Sequence, residues 1–178
     1  GLIFSYIYLT FNRTQQQIDM SAEQSVISIT SMFRHNILED SSMLEAVAHA
    51  LLRNKDIEAA LSVKSRSKLL SLSTPLFNEL SKEHLITHFY YHNIDRSNLL
   101  RVHKPERHSD KINRFTMLEA ESLGAESSGI ELGPLGTFTL RHVTPWYDDN
   151  QNMIGYVELG MEIDSIFESI EQLYSTHL

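Results

Sequence analysis

The sequence contains no cysteine, which excludes disulfides, zinc–thiolate sites and thiol catalysis together. Glycine and proline are scarce and unevenly placed. After Gly1 no glycine occurs before Gly124, and the first proline is Pro75. A stretch from Leu2 to Thr74 with neither breaker reads as helix. Positive charge is also in short supply, with 15 Lys and Arg against 23 Asp and Glu and a formal net charge of −8. That balance argues against nucleic acid as a partner, which calls for a basic stripe, and against charge-driven docking on anionic lipid. A long hydrophobic run is missing too: the apolar opening stops at Phe11, before Asn12-Arg13-Thr14, whereas a bilayer crossing takes about 20 residues. Because the chain starts at Gly1 and not at Met, it reads as a piece of something longer. The opening is then either the outer half of a trimmed transmembrane helix, with Tyr6 and Tyr8 at the interface, or an apolar end packed in the core.

What is present is ordinary for a globular chain. Its 178 residues, 42% hydrophobic and 21% charged, suit one domain with a helical extension. Ala22, Val26, Ile29, Phe33, Ile37, Leu44, Val47 and Leu51 recur at steps of three and four, with Asp40 filling the gap. Ile27, Met32, Leu38 and Met43 widen that face, so the helix is expected to touch more than one neighbour. Unbroken from Thr14 to Arg53 it would span roughly 60 Å, and part of it is expected to project as a stalk. A capping box at Ser42 and Glu45 marks the one place it could break, and continuity is the preferred reading. Asp56 is read as the N-cap of a short helix, Ile57 to Val63. A further helix runs from Ser65 to Ser81, with Thr74-Pro75 either a kink or a fresh start.

From Leu85 the texture changes to strands and turns. Ile86–His92 and Asn98–His103 read as a hairpin around Asn93–Ser97. Asp110 to Leu123 reads as helix, stopped by Gly124. Three strands follow, Ser128–Leu132, Thr137–Thr144 and Met153–Ile163, separated by turns at Gly133–Gly136 and Asp148–Asn152. A closing helix is expected from Asp164 to Tyr174. The fold class is therefore α+β: a long N-terminal helix and helical region, then a five-stranded antiparallel sheet with flanking helices. Residues 1–82 form the helical part and residues 83–178 the sheet module of one integrated domain.

Three stretches carry a family likeness: Ile86–His92, Asn98–Arg107 and Ile112–Glu121, continued by Gly129–Arg141 and Ile154–Ile163. They resemble the Cache superfamily of PAS-like sensor domains, nearest to its third double-Cache type, over about Leu51 to Glu168. The resemblance implies a periplasmic or extracellular input module of a histidine kinase, chemoreceptor or diguanylate cyclase, held between two transmembrane helices. It implies a small-molecule ligand on one sheet face. No Gly-rich phosphate loop, nucleophile elbow or metalloprotease motif occurs, so neither a cofactor nor catalysis is expected. Only one sheet's worth of strands is legible, which points to a single sheet module behind a helical region. The rival from another class is a cytoplasmic PAS-like regulatory or protein-interaction module.

Alternation along the strands separates two faces. Val157, Leu159, Met161 and Ile163 form an apolar set, expected to pack on the long helix. His88, Tyr90 and His92 share a side of the first strand, Arg101 and His103 a side of the second, and Thr139 and Arg141 a side of the fourth. The expected pocket residues are Tyr90, Arg101, His103, Arg141 and Glu158, with Lys104 and Arg107 on a loop folding over the site. Arg101 is the first choice for a ligand carboxylate, because a guanidinium fork matches two carboxylate oxygens. The competing reading is that these groups satisfy one another, for example Arg141 with Glu158. A metal at His84, His88 and His92 is not expected: on a strand His88 and His92 lie about 13 Å apart, too far for bonds near 2.1 Å. The wide apolar face of the long helix suggests a parallel homodimer.

Overall fold

A computed structural model of the chain describes residues 2–133 and 136–164. Its elements, in order, are α1 (Leu2–Leu52), α2 (Lys55–Ser62), α3 (Arg66–His84), β1 (His88–His92), β2 (Asn98–Arg101), α4 (Phe115–Leu123), β3 (Ser127–Leu132), β4 (Phe138–Tyr147) and β5 (Met153–Glu162). The fold is α+β, as the sequence pattern implies. The closing helix expected after Asp164, and Pro134 and Leu135 of the glycine turn, lie outside the described residues.

The chain divides into two compact units between Ile37 and Leu38. In the first, the described residues are one helical stretch of α1. Its hydroxyls bond back one turn, as Thr14 Oγ1 does to the Thr10 carbonyl. None of the described helices is long and apolar enough to cross a membrane. The helix runs through the candidate break at Ser42 without interruption.

The second unit holds the sheet. Leu44, Ala48 and Leu51 of α1 are buried there, with Ile57, Ala60 and Leu61 of α2 and Leu69 and Leu80 of α3. The cap of α2 is Asn54, two residues ahead of the expected Asp56: its side-chain oxygen accepts from the Asp56 and Ile57 amides. An amide carbonyl serves here as well as a carboxylate would, and Asp56 inside the first turn suits the helix dipole. α3 continues through Pro75, so of the two expectations a fresh start at Thr74-Pro75 is ruled out.

All five strands are antiparallel, in the order β2-β1-β5-β4-β3. β5 is thus central, and its alternation fixes both faces. Val157, Leu159, Met161 and Ile163 are buried on the side of α1–α3. That side is marked by Tyr91, whose hydroxyl meets Ser73 of α3 at 2.8 Å with both groups buried. On the other side α4 lies over β3 and β4, and Ile112, Met117, Ala120, Val143 and Tyr156 form a small apolar core. α4 is shorter than the sequence suggests, because residues 110–114 are extended and Lys111 bridges to Ser97. The α4 N-terminus is capped from another strand: Glu131 of β3 accepts from the Thr116 amide and hydroxyl. With no local cap at Arg114, the helix starts where Glu131 can reach it.

Gly155, the third residue of the central strand, has φ at +149°, and a Cβ there would collide with the His92 carbonyl oxygen. Both the conformation and the close approach require glycine. Gly155→Ala is expected to cost about 1–3 kcal/mol, read as a lower urea midpoint with an unchanged slope.

Candidate ligand pocket

The register places polar side chains from all five strands side by side on the α4 face. Arg101, Tyr90 and Glu158 form one cross-strand row, and His88, Gly160 and Arg141 the next. Thr139 stands opposite Glu162 and Glu131 beyond them. The connection from β2 to α4 folds over these rows. Together they enclose a cavity of about 460 Å³.

Six of the seven residues singled out from the sequence line this cavity: Tyr90, Arg101, His103, Lys104, Arg107 and Arg141. Glu158 does not line it. Its carboxylate, with no exposed side-chain surface, lies beneath and is shared by Arg141 Nη1 at 2.7 Å, by Arg114 Nη2, and by His92 Nε2 at 2.9 Å. Burial alone would raise the Glu158 pKa, but Arg114, His92 and Arg141 outweigh it and hold the carboxyl well below its ordinary value. His92 is wholly buried, which keeps its imidazole neutral. It donates from Nε2 to Glu158 while Nδ1 faces the Asn98 amide at 3.3 Å. Glu131 completes the arrangement, 3.3 Å from Arg114 Nε and 3.4 Å from Arg141 Nε. Arg114 and Arg141 therefore alternate with Glu131 and Glu158.

Arg101 is also engaged. Its fork meets Asp110 at 2.6 and 2.7 Å, and Nη1 further donates to the Arg107 carbonyl at 2.8 Å. The carboxylate partner expected of Arg101 is thus supplied within the chain. The guanidinium carbons of Arg101, Arg114 and Arg141 lie 5.4, 5.4 and 5.9 Å from the Tyr90 ring centre, within cation–π range. His88 and His92 stack on either side of Tyr90, and His103 sets its edge against Tyr90 at 4.8 Å.

Arg114 and Lys111 also line the cavity, although neither is evident from the sequence. Both fall in a segment read as helix, where their direction could not be assigned. His88 and Thr139 sit on the expected faces and line the wall too. The Thr139 hydroxyl is buried and has no hydrogen-bond partner among the described residues. Gly160 leaves the floor open between His88 and Arg141, since a Cβ there would stand 3.1 Å from Thr139 and 3.3 Å from His88. Lys104 has no ion-pair partner among the described residues. Around the cavity six fixed cations face four carboxylates, Asp110, Glu131, Glu158 and Glu162, leaving about two positive charges in a chain whose net charge is −8. The cavity is therefore locally electropositive.

A family model described as "Double sensory domain of two-component sensor kinase" matches residues 21–178. The chain belongs to this family. Among solved structures, the sensor domain of DcuS from E. coli superposes with a TM-score of 0.62 at 22% identity, over 79% of this chain and 98% of that one. The sensor domain of the histidine kinase DctB from V. cholerae gives 0.64 at 14% identity, over 88% of this chain and 59% of that one. The periplasmic domain of LuxQ from V. cholerae gives 0.51 at 12% identity, over 77% of this chain and 64% of that one. The chain thus spans less than two thirds of the DctB and LuxQ chains, and at these identities the likeness is one of fold. No curated protein matches. In keeping with that shorter span, the described residues form one five-stranded sheet.

The pocket imidazoles give the domain an acid sensitivity. Burial first, then Arg141 and His103, lowers His88 to about 3. Burial first, with Arg101 and Arg141 acting against the charge, lowers His103 to about 4. The unfolded chain takes up these protons near pH 6.5, the folded one only near pH 3–4. Their stabilising effect is thus complete above pH 6.5 and lost progressively as the pH falls to about 3. Thermal unfolding should show the midpoint dropping between pH 7 and 4, and His88→Gln with His103→Gln should flatten that slope. An unchanged slope would mean that the imidazoles do not titrate between the folded and unfolded states.

Proposed function

We propose that this sensory domain lies outside the cytoplasm, as part of a bacterial transmembrane receptor, and binds a small carboxylate in the sheet pocket. The observation that carries this reading is the excess of cations around a cavity of metabolite size. The family description and the printed titles of DcuS, DctB and LuxQ support the setting. In the proposed complex the anion sits above Tyr90 and Gly160. Lys104 and Arg107 approach it from the covering loop, Arg141 from the sheet and His103 from just past the end of β2. Glu158 acts from below, by aiming Arg114 and Arg141. Arg101 reads the carboxylate only by exchanging it with Asp110, so ligand and Asp110 compete for one fork.

Binding then favours one of two arrangements of the chain through differential affinity for them. We further propose that α1 pairs with α1 of a second copy. In its first unit Ile18, Val26 and Ile29 are exposed at spacings that put them on one side of the helix, as such a seam requires. Light scattering of the domain at rising concentration tests this. A monomer throughout, together with Val26→Glu and Ile29→Glu variants that behave identically, would remove the pairing from the proposal.

The ligand reading is tested by a thermal-shift screen of organic acids, amino acids and amines, followed by calorimetry with the acid that shifts most. Arg101→Ala and Lys104→Ala should each weaken that acid about tenfold or more, the loss of one charge-assisted hydrogen bond. Asp110→Asn should strengthen it, because the competing charge is gone. Preference for an amine, or indifference of every acid to Arg101→Ala and Lys104→Ala, would overturn the assignment.

A further inference from the structure

On the opposite side of the sheet, away from the cavity, side chains from three elements converge. Glu45 and His49 lie one turn apart on the last stretch of α1, so both face the same way. Glu126, just ahead of β3, reaches them: its Oε2 is 2.8 Å from His49 Nε2. One ligand atom from each of Glu45, His49 and Glu126 lies within 4.8 Å of the other two. Below them His142 of β4, almost fully buried, brings its Nε2 to 3.7 Å from the same Glu126 oxygen. Its Nδ1 is held by Ser128 Oγ at 2.6 Å.

We propose that Glu45, His49 and Glu126, with His142 as a fourth donor, form a binding site for a divalent transition ion of the Zn²⁺ class. Three features distinguish the cluster from a plain surface ion pair. First, donors on one ion with bonds near 2.0–2.1 Å lie up to about 4.2 Å apart, so the observed spacing needs only a small contraction. Second, two carboxylates are brought together with no lysine or arginine paired to either among the described residues, an arrangement that a dication neutralises. Third, Ser128 can accept the Nδ1 proton of His142, the outer-shell support that metal-bound imidazoles ordinarily have, which makes Nε2 the acceptor nitrogen; the Thr144 hydroxyl donates to it at 2.9 Å and must turn aside for an ion to take its place. Mixed nitrogen and oxygen donors favour zinc-like ions over Ca²⁺ or Mg²⁺, which take oxygen alone. His49 and Glu126 are partly exposed at 46% and 37% of their side chains, so an ion has a way in. Occupation would tie the end of α1 to the sheet edge at β3, independently of the pocket and of what the pocket binds.

The test uses the whole 178-residue domain, freed of metal by chelator, and Zn²⁺ alone as titrant. The expected result is one Zn²⁺ per chain by calorimetry, a raised unfolding temperature, and visible d–d absorption when Co²⁺ replaces Zn²⁺. His49→Gln and Glu126→Gln, at partly exposed positions, should each weaken binding at least tenfold while leaving the metal-free unfolding temperature nearly unchanged. His84→Gln, at an exposed histidine outside the cluster, should leave binding as it was. Zinc binding that survives both cluster variants would overturn the site, as would no stoichiometric binding or a preference for Ca²⁺ or Mg²⁺. None of these outcomes bears on the carboxylate reading, which has its own titration.

Discussion

A carboxylate with no access to water lies at the centre of the sheet's polar face, and the groups around it are placed by its charge. Glu158 stands on the central strand, where solvent cannot compensate it. Burying a lone carboxylate costs several kcal/mol even after relaxation. The cost is offset only because two guanidiniums and a neutral imidazole converge on it from three other segments. Glu131 then takes up the outer edges of the same guanidiniums and caps α4 as well. One buried charge thus fixes the direction of Arg114 and Arg141, the position of the extended 110–114 segment and the start of a helix.

This arrangement explains why an acidic protein presents a basic hollow. Charges that cancel inside the network do not disappear from its edge, and the planar guanidiniums still offer N–H groups beyond the bonds already made. Arg141 Nε is buried with only the 3.4 Å ion pair to Glu131 and no hydrogen bond, and the Thr139 hydroxyl is buried with no hydrogen-bond partner among the described residues. Such groups are costly to leave unpaired in a finished core. Set beside a cavity of about 460 Å³, they offer polar capacity that the proposed anion would use.

The fold was legible where a single physical signal dominated. The absence of glycine and proline up to Thr74 is enough for the long helix, and period-two alternation on β5 assigns both faces of the central strand. The site was legible in proportion to how much of it lies on strands, since alternation carries Tyr90, Arg101 and Arg141 to one face without knowledge of the partners. It failed where position depends on tertiary contact. Residues 110–114 have helical composition, but Asp110 is drawn to Arg101 and Arg114 to Glu158, and those bonds hold the segment extended. Arg114 was hidden for that reason, and Asp110 with it. The bond between Arg101 and Asp110 could not be anticipated from spacing, because it joins a strand to a loop whose path the sequence does not state.

The two faces of the sheet carry different burdens, and the strand period makes them inseparable. Tyr90 faces the cavity, while Tyr91, the next residue, is bonded to Ser73 of α3. Arg141 faces the cavity, while His142 lies against Glu126 at the edge and near Glu45 and His49 of α1. A shift of either strand that improves contact with an anion must move the neighbouring side chain against a helix, because a strand cannot rotate one face alone. The energy required is of the right order. Converting a population from 1:99 to 99:1 takes about 5.5 kcal/mol of differential affinity, and two or three charge-assisted hydrogen bonds at roughly 1.5–3 kcal/mol each span that figure. On the proposed reading a weakly charged or neutral guest would fill the same volume and fall short, so the charge of the lining would bear on signalling as much as on selectivity.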